Sequence, residues 1–242
     1  MKRLIDVSVS LLGLIAASPL LLPVMFLIWL QDRHSPLYIA PRTGLAEQPF
    51  SMVKLRSMRV WADKTGVDST ASNDQRITPI GAFVRRYKLD ELMQLWNVLR
   101  GDMSLVGPRP NVERETRLYT AEEKRLLRVR PGITDFASIV FADEGSILEG
   151  RPDPDLAYNQ LIRPWKSRLG LFYIDHRSTS LDLLLIGLTA VSFASRSAAL
   201  RAVASRLNAL DAPEELARVA RREQPLVAAP PPGSREIVTA RA

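Results

Sequence analysis

An uncharged, strongly apolar segment near the N-terminus constrains this chain more than any other feature. From Val7 to Leu30 it reads VSVSLLGLIAASPLLLPVMFLIWL, without a charged residue. At about 1.5 Å of rise per residue, a helix of this length reaches across a hydrocarbon layer of roughly 30 Å. The run is too long for a cleaved signal peptide, and its prolines replace a small-residue cleavage site. The segment therefore predicts a membrane helix.

Two paths through the membrane fit this segment. Hydropathy alone favours a single crossing with a proline kink. A re-entrant helix-break-helix fits as well, because Pro19 removes a backbone donor near the middle of the run and the Ser18 hydroxyl can bond a freed carbonyl. Basic residues flank both ends, Lys2 and Arg3 before the run and Arg33 after it, and a single crossing puts one basic end on the disfavoured side. The residues leave both paths open.

Composition limits the chemistry of the remaining chain. The 33 Lys and Arg residues exceed the 26 Asp and Glu residues, for a formal net charge of +7. This excess indicates an anionic partner, which a membrane surface, a nucleotide or a nucleic acid would each satisfy. The chain has no cysteine and only two histidines, His34 and His176. Disulfides and thiolate sites are excluded, and histidine-rich metal sites and Ser-His-Asp triads lack material, so catalysis must use carboxylates, lysines, arginines and hydroxyls.

Local patterns predict an α+β fold that is predominantly helical. Extended pieces are expected at 37–40, 50–55 and 133–141, and helices at 79–86, 90–99, 121–129, 156–173, 181–194 and after Asp211. The polar stretch 61–78 is expected to form a mobile loop, and the Pro/Ala-rich C-terminal end to be disordered. The predicted organisation is a membrane segment at 1–33, a central domain at 34–200 and a C-terminal extension at 201–242.

The stretch from Tyr87 to Pro110, YKLDELMQLWNVLRGDMSLVGPRP, concentrates the charged chemistry. Asp90 and Glu91 stand at the expected start of a helix, where acidic residues often merely complement the helix dipole. Met93, however, stands where a capping box needs Glu or Gln, so the pair is not a standard cap. Several cations lie close in sequence: Arg85, Arg86, Lys88, Arg100 and Arg109. These cations are expected to depress the pKa of Asp90 and keep it ionised.

An ionised carboxylate beside arginines can attack phosphorus or bind a hard cation. Attack on a diphosphate brings anions together, so it requires Mg²⁺ and arginines to spread the charge. The Gly-Pro-Arg-Pro turn would hold Arg109 for this purpose, although the turn can equally be a rigid loop with a solvated arginine. A membrane-anchored scaffold or nucleic-acid-binding protein is the alternative. Against it, the aromatic residues are not interleaved with the basic clusters.

With these residues in view, the chain resembles the bacterial sugar transferases, also called monotopic phosphoglycosyl transferases, from about Lys2 to Leu188. The motifs that carry the resemblance are KRLID at 2–6, the Ser18-Pro19 break, KLRSM at 54–58, LDELMQLWNVLRGDMSLVGPRP at 89–110, VRPGIT at 129–134 and YIDHRSTSLDLLLI at 173–186. The resemblance implies a re-entrant membrane hairpin and a cytoplasmic α+β domain with interfacial helices and a small β-hairpin or sheet.

The resemblance also implies a reaction. A sugar 1-phosphate passes from a UDP-sugar to undecaprenyl phosphate at the cytoplasmic face of the bacterial inner membrane, as the first membrane step of glycan synthesis. Asp90 would be the nucleophile, forming a covalent aspartyl intermediate with loss of UMP, and Glu91 would assist it and help to place Mg²⁺. The residues implied to bind substrate or phosphate are Lys54, Arg56, Arg86, Arg109 and Asp182. The expected partners are the two substrates and the bilayer, with no nucleic acid. A homodimer is a possible assembly, although no heptad pattern or obvious interface supports it.

Some positions depart from the common family pattern. Lys88 stands where Ser or Thr is usual, Met93 where Pro is frequent, and Asp135 where Gly often follows PGIT. The next segment, ASIVFADEGSIL at 137–148, belongs to a variant subset. Because these positions lie beside the expected site, they put the identity of the donor sugar in doubt more than the type of reaction. Direct attack by the lipid phosphate, with Asp90 only binding metal, also remains open.

Overall fold

A computed structural model describes residues 1–62 and 74–239. Within them the strands form two two-stranded sheets: β1 (Leu37–Thr43) pairs antiparallel with β2 (Pro49–Leu55), and β3 (Ser104–Val106) pairs parallel with β4 (Gly132–Thr134). The helices are α1 (Lys2–Asp32), α2 (Pro79–Arg86), α3 (Leu89–Leu92), α4 (Gln94–Arg100), α5 (Glu113–Arg117), α6 (Phe136–Val140), α7 (Glu144–Leu148), α8 (Pro154–Ala157), α9 (Arg163–His176), α10 (Thr179–Ala194), α11 (Arg196–Ala209) and α12 (Glu214–Arg221). The predicted helical fold with a small hairpin is confirmed. Most of the loop predicted at 61–78 lies outside the described residues.

Helix α1 is long and apolar enough to cross a membrane. It continues without interruption through Pro19 and Pro23, so the helix break expected at Ser18-Pro19 is not seen. The Ser18 hydroxyl donates to the Ile15 carbonyl at 2.8 Å. Pro19, four residues after Ile15, cannot make that bond, so the hydroxyl replaces the missing donor. One side of α1 packs on the domain through Leu21, Val24 and Ile28, which join a cluster with Leu55, Val84 and Leu89. Apolar side chains on α1 remain exposed, among them Leu11, Leu12, Ile15, Leu22 and Phe26.

Both ends of α1 are fixed to the same domain. At the N-terminal end, Lys2 Nζ lies 2.6 Å from Asp182 Oδ2, and Arg3 donates to the carbonyls of the α4 residues Val98 and Leu99. The buried Asp6 accepts hydrogen bonds from Ser104 Oγ and the Leu105 backbone N–H. At the other end, Arg56 of the segment after β2 donates to both carboxylate oxygens of Asp32, at 2.6 and 2.7 Å.

The main core includes the C-terminal helices. Helix α11 contributes Ala199, Leu200, Val203, Ala204 and Leu207, and α12 contributes Leu216, Ala217 and Ala220, to the same cluster as α6, α9 and α10. The boundary predicted between residues 200 and 201 therefore falls inside a packed helix. The helix expected after Asp211 is present as α12, but the sequence did not show that α11 and α12 pack into the main core.

Residues 223–239 form neither helix nor strand, yet they make defined contacts where composition predicts disorder. The Ala229 backbone N–H donates to the Gln160 carbonyl at 3.1 Å, and Gln160 Nε2 donates to the Val238 carbonyl at 2.8 Å. Arg168 of α9 donates to the Pro230 carbonyl at 2.9 Å. Side-chain donors of the domain thus satisfy backbone carbonyls that a proline-rich segment cannot pair within itself.

Several local predictions differ from the structure. The strand expected at 133–141 ends at Thr134, because the Asp135 carboxylate accepts a hydrogen bond from the Ser138 backbone N–H at 2.7 Å and starts α6. The helix expected at 90–99 divides into α3 and α4 at Met93. The 121–129 segment is a 3₁₀ helix, Glu123–Arg128. In the 156–173 region a π-helical turn, Tyr158–Ile162, links α8 to α9, and Pro164 lies in the first turn of α9.

Candidate active site

The adjacent carboxylates lie on α3, a single helical turn that is held in place by the buried side chain of Leu89. Leu89 is buried in the cluster that α1, α2 and β2 share, so the turn is held against β2. Lys88, just before α3, adopts a left-handed backbone conformation with φ of 52°. A lysine in this conformation is strained, and such strain persists only where the surroundings fix the backbone. Asp90 and Glu91, which follow Leu89 on this turn, are both half-buried.

The Gly-Pro-Arg-Pro turn places a guanidinium against this pair. The Gly107 backbone N–H donates to the Thr134 carbonyl, and the Gly132 N–H donates to the Pro108 carbonyl, both at 2.9 Å. A Cβ at Gly107 would lie 2.5 Å from the Arg130 carbonyl oxygen, so only glycine allows this approach. From this turn, Arg109 Nη2 donates to Glu91 Oε1 at 2.6 Å.

The two carboxylates differ in their partners. Glu91 is bound by Arg109, whereas in the described part of the chain no hydrogen bond or ion pair engages the Asp90 carboxylate. Burial raises the pKa of Asp90, and the Glu91 charge adds to this rise, while Lys54, Arg85 and Arg109 oppose it. The expectation that neighbouring cations depress the pKa of Asp90 is therefore wrong, because desolvation outweighs them.

The pKa of Glu91 is shifted in the opposite direction. Burial alone would raise its pKa, but the charges of Arg109, Lys54 and Lys88 outweigh burial and lower it to about 2. Lys54 of β2 is affected by the same site: burial and the Arg109 charge lower its pKa to about 8, although Glu91 and Asp90 favour its charged form. At neutral pH the site thus combines an ionised Glu91, a charged Arg109 and an unpaired Asp90.

The other predicted site residues contact different groups. Arg56 pairs with Asp32 and also donates to the Ser35 carbonyl. Arg86 is exposed, with its guanidinium 5.8 Å from the Tyr87 ring centre. Asp182 accepts hydrogen bonds from Lys2 and from the Tyr173 hydroxyl, both at 2.6 Å. These contacts serve packing and the attachment of α1, and the role of these residues in binding substrate stays a prediction.

Of the two adjacent arginines named from the sequence, Arg85 rather than Arg86 acts on Asp90. Sequence reasoning missed two other residues at this site, Glu144 and Lys166. Glu144, in the first turn of α7, forms an ion pair with Lys166 of α9. Burial would raise the pKa of Glu144, but Lys166, Arg109 and Lys54 lower it, so its charge belongs to the same field. Charge alone did not single out Glu144 and Lys166, because they lie 22 positions from each other and 35 and 57 positions from Arg109.

The donor set of the pair suits Mg²⁺. Mg²⁺ in enzymes commonly uses one or two carboxylates, with substrate phosphates and water completing its coordination. Asp90 and Glu91 supply carboxylate oxygens side by side, and Asp90 has none of its oxygens committed to another described group. Among the described residues no group of three or more His, Asp or Glu side chains is placed to hold a metal ion, so the protein alone offers no closed metal cage.

Comparison with known proteins gives the family. Residues 1–196 match the model of the bacterial sugar transferases. Over 109 residues the chain is 45% identical to a putative undecaprenyl-phosphate N-acetylgalactosaminyl 1-phosphate transferase of Bacillus subtilis, covering 45% of this chain and 61% of that protein. Over 148 residues it is 43% identical to an undecaprenyl-phosphate glucose phosphotransferase of Komagataeibacter xylinus, covering 57% of this chain and 27% of that protein.

A third relative matches along more of its length. The uncharacterized sugar transferase EpsL of Bacillus subtilis is 33% identical over 189 residues, which cover 78% of this chain and 85% of that protein. By contrast, the chain spans less than two thirds of the length of the two relatives above. The family match includes α1, the carboxylate pair, the Arg109 turn and all of α10. The chain therefore belongs to the bacterial sugar transferase family.

Proposed function

We propose that the protein transfers a sugar 1-phosphate from a UDP-sugar to undecaprenyl phosphate, yielding undecaprenyl-diphosphate-sugar and UMP. The names of the relatives from Bacillus subtilis and Komagataeibacter xylinus support this class of reaction. The observation that carries the proposal is that the two adjacent carboxylates differ in their bonding partners. Glu91 is bound to Arg109 at 2.6 Å, and the adjacent Asp90 is left without a partner among the described groups. Membership of a transferase family weighs against the scaffold alternative.

Asp90 is the nucleophile in this proposal. A carboxylate oxygen attacks the β-phosphorus of the UDP-sugar, and a new P–O bond forms as the bond to the bridging oxygen breaks. UMP leaves with that electron pair. Arg109 and Lys54, whose charges act on the same two carboxylates, would donate to the phosphoryl oxygens that gain charge. Glu91 holds the Arg109 guanidinium in place and, because its pKa is about 2, carries no proton at neutral pH.

The second step regenerates the enzyme. A phosphate oxygen of undecaprenyl phosphate attacks the same phosphorus, and the bond to Asp90 breaks, which returns the carboxylate with its electron pair. Asp90 and Glu91 would hold Mg²⁺, which supplies charge neutralisation at the phosphoryl oxygens when it is bound. Burial raises the pKa of Asp90, and the positive charges of Lys54, Arg85 and Arg109 oppose that rise, so they favour the ionised form that attacks in the first step and is restored in the second.

We also propose that α1 enters the cytoplasmic leaflet and leaves by the same face. Lys2 and Arg3 contact α10 and α4, while Asp32 at the other end binds Arg56 of the same domain. A helix that crossed the bilayer could touch a water-exposed domain at one end only. The domain would then lie on one side of the membrane. We propose that this side is the cytoplasmic face of the inner membrane, where a UDP-sugar donor would be available for the first membrane step of a capsule, O-antigen, exopolysaccharide or glycoprotein glycan.

UMP release tests the reaction. The native protein in membrane mimetic, with undecaprenyl phosphate and Mg²⁺, is expected to release UMP from at least one UDP-sugar of a broad panel. Asp90→Asn is expected to lower the rate by about a thousandfold or more, since it removes the attacking oxygen's charge. Arg117→Lys at an exposed surface pair serves as a control that retains activity. Silence of the well-folded native protein across the panel would refute the proposal.

The direct-attack mechanism predicts a different intermediate. If the lipid phosphate attacks the donor directly, no sugar phosphate becomes attached to the protein. Mixing the native enzyme with donor and Mg²⁺ without lipid should, in the two-step route, give one equivalent of UMP and a protein mass increased by the sugar phosphate. Adding undecaprenyl phosphate should then discharge it. An unchanged mass from an active enzyme would favour direct attack.

A further inference from the structure

The ion pair between Glu144 and Lys166 lies beside the Arg109 turn. A Cβ at Gly170 of α9 would lie 3.7 Å from Cβ of Pro108, the neighbour of Arg109 in the turn. Lys166 precedes Gly170 by four residues and therefore shares its helix face. Lys166 Nζ contacts Glu144 Oε2. The pair thus forms a wall of the site on the side of Arg109 that α9 covers.

The turn that presents Glu144 is fixed by the C-terminal helices. Asp143, the residue before it, accepts a hydrogen bond from Arg222 Nη2 at 3.3 Å, and its Oδ1 forms an ion pair with Arg196 Nη2 at 2.7 Å. The Arg222 guanidinium also lies 5.6 Å from the centre of the buried Phe141 ring. Arg222 lies beyond the 196 residues that match the family model. The wall is therefore positioned by a part of this chain that the family match does not include.

The chemistry of the wall differs from that of the phosphate-binding cations. Glu144 would repel a phosphate, and the Glu144–Lys166 pair adds no net charge to the site. It offers carboxylate acceptors and ammonium donors together, the combination that binds neutral hydroxyl groups. Both side chains remain partly accessible, with exposed fractions of 32% for Glu144 and 16% for Lys166. In a donor whose diphosphate is bound by Arg109, the sugar is attached directly to the β-phosphate and would lie within reach of this wall.

We propose that Glu144 and Lys166 contact the sugar of the donor and determine which neutral sugar the enzyme accepts, with Asp143 and Arg222 as positioning residues. This inference rests on the proposed function, because it assigns a sugar-binding role within the same site. It commits to a polyhydroxylated neutral sugar, whose hydroxyl groups can donate to Glu144 and accept from Lys166.

Paired substitutions test this assignment. Glu144→Gln and Lys166→Met remove one charge each, while the double variant Glu144→Lys with Lys166→Glu restores an ion pair with reversed direction. Glu149→Gln and Lys124→Met are matched controls at exposed positions. For each protein, kcat/KM for UMP release is measured with two or more neutral UDP-sugars, together with the inhibition constant of UDP, which has no sugar, and the thermal unfolding midpoint.

The expected result separates sugar recognition from structure. Each single variant should change the ratio of kcat/KM between donors by about tenfold, the effect of a lost hydrogen bond to substrate, with little change in UDP inhibition. The reversed pair should recover thermal stability and still show an altered donor ratio. If the singles leave the ratio unchanged, or if the reversed pair restores the native ratio, the pair is structural and the inference is overturned. A native enzyme that releases no UMP from any donor overturns the proposed function and the inference with it.

Discussion

The Lys54 side chain loses its positive charge at a pH only slightly above neutral. Burial and the Arg109 charge lower its pKa to about 8, so the ammonium is present below that pH and is lost above it. If the ammonium supports phosphate binding, kcat/KM for UMP release should fall as pH rises through about 8. An arginine keeps its charge at higher pH. In Lys54→Arg the fall of kcat/KM should therefore begin at a higher pH than in the native protein, even if kcat/KM itself is lower. Superimposable pH profiles of the two proteins would contradict this role.

Arg109 should not be replaceable by lysine. Its guanidinium binds Glu91 at 2.6 Å and still has further N–H groups for phosphate, whereas lysine presents one compact ammonium. Arg109→Lys should lower kcat/KM by about tenfold to a hundredfold through loss of this geometry. Arg117→Lys, at an exposed pair with Glu113, makes the same substitution at the surface and should change kcat/KM less than twofold, by the usual weakness of exposed pairs. Equal effects would show that geometry at Arg109 is unimportant.

For individual site residues, their distance from one another along the chain decided whether the sequence could predict that they act together. Asp90, Glu91 and Arg109 lie within one motif, so their shared chemistry could be inferred before the fold was known. Glu144 of α7 and Lys166 of α9 are 22 positions apart and meet only in the folded chain, and no local pattern records that contact. The rise in the pKa of Asp90 was missed for a related reason: burial, which outweighs the nearby cations, is a property of the folded site.

The proposed re-entrant path of α1 requires both ends of this helix to lie on the same side of the membrane. The chain contains no cysteine, so single cysteines can report on each end. Lys2→Cys and His34→Cys should both react with a membrane-impermeant maleimide in inverted vesicles and not in intact cells. Glu149→Cys, at an exposed position of the domain, marks the cytoplasmic side. Reaction of Lys2→Cys from the outside of intact cells would establish a single crossing and contradict the re-entrant path.

Element prediction succeeded where a side chain dictates the backbone locally and failed where two signals compete. The Ser18 hydroxyl does bond a carbonyl that Pro19 leaves free, as the sequence predicted. The run ITDFASIVF at 133–141 reads as a strand because of its β-branched and aromatic residues. The Asp135 cap starts a helix within it, so the strand is limited to Gly132–Thr134. Capping chemistry prevailed over β-propensity at this position.

For the whole molecule, α12 should contribute to folding stability although it lies beyond the family match. Leu216 is 3% exposed and belongs to the main core cluster, together with residues of α6 and α9. Leu216→Ala should lower the free energy of unfolding by about 2–5 kcal/mol, because it removes buried methyl groups and leaves a cavity. Val227→Ala, at a side chain that is 74% exposed, should change it by less than about 0.5 kcal/mol.

The comparison is made by denaturant unfolding in one membrane mimetic, with donor-ratio measurements on the same samples. Because Arg222 follows α12 and pairs with Asp143, loosening α12 should also loosen the turn that carries Glu144. Leu216→Ala is therefore expected to alter discrimination between donor sugars more than UDP inhibition. If Leu216→Ala and Val227→Ala unfold alike, the C-terminal helices form a separate unit. If Leu216→Ala unfolds earlier yet retains the native donor ratio, α12 stabilises the core without positioning the wall.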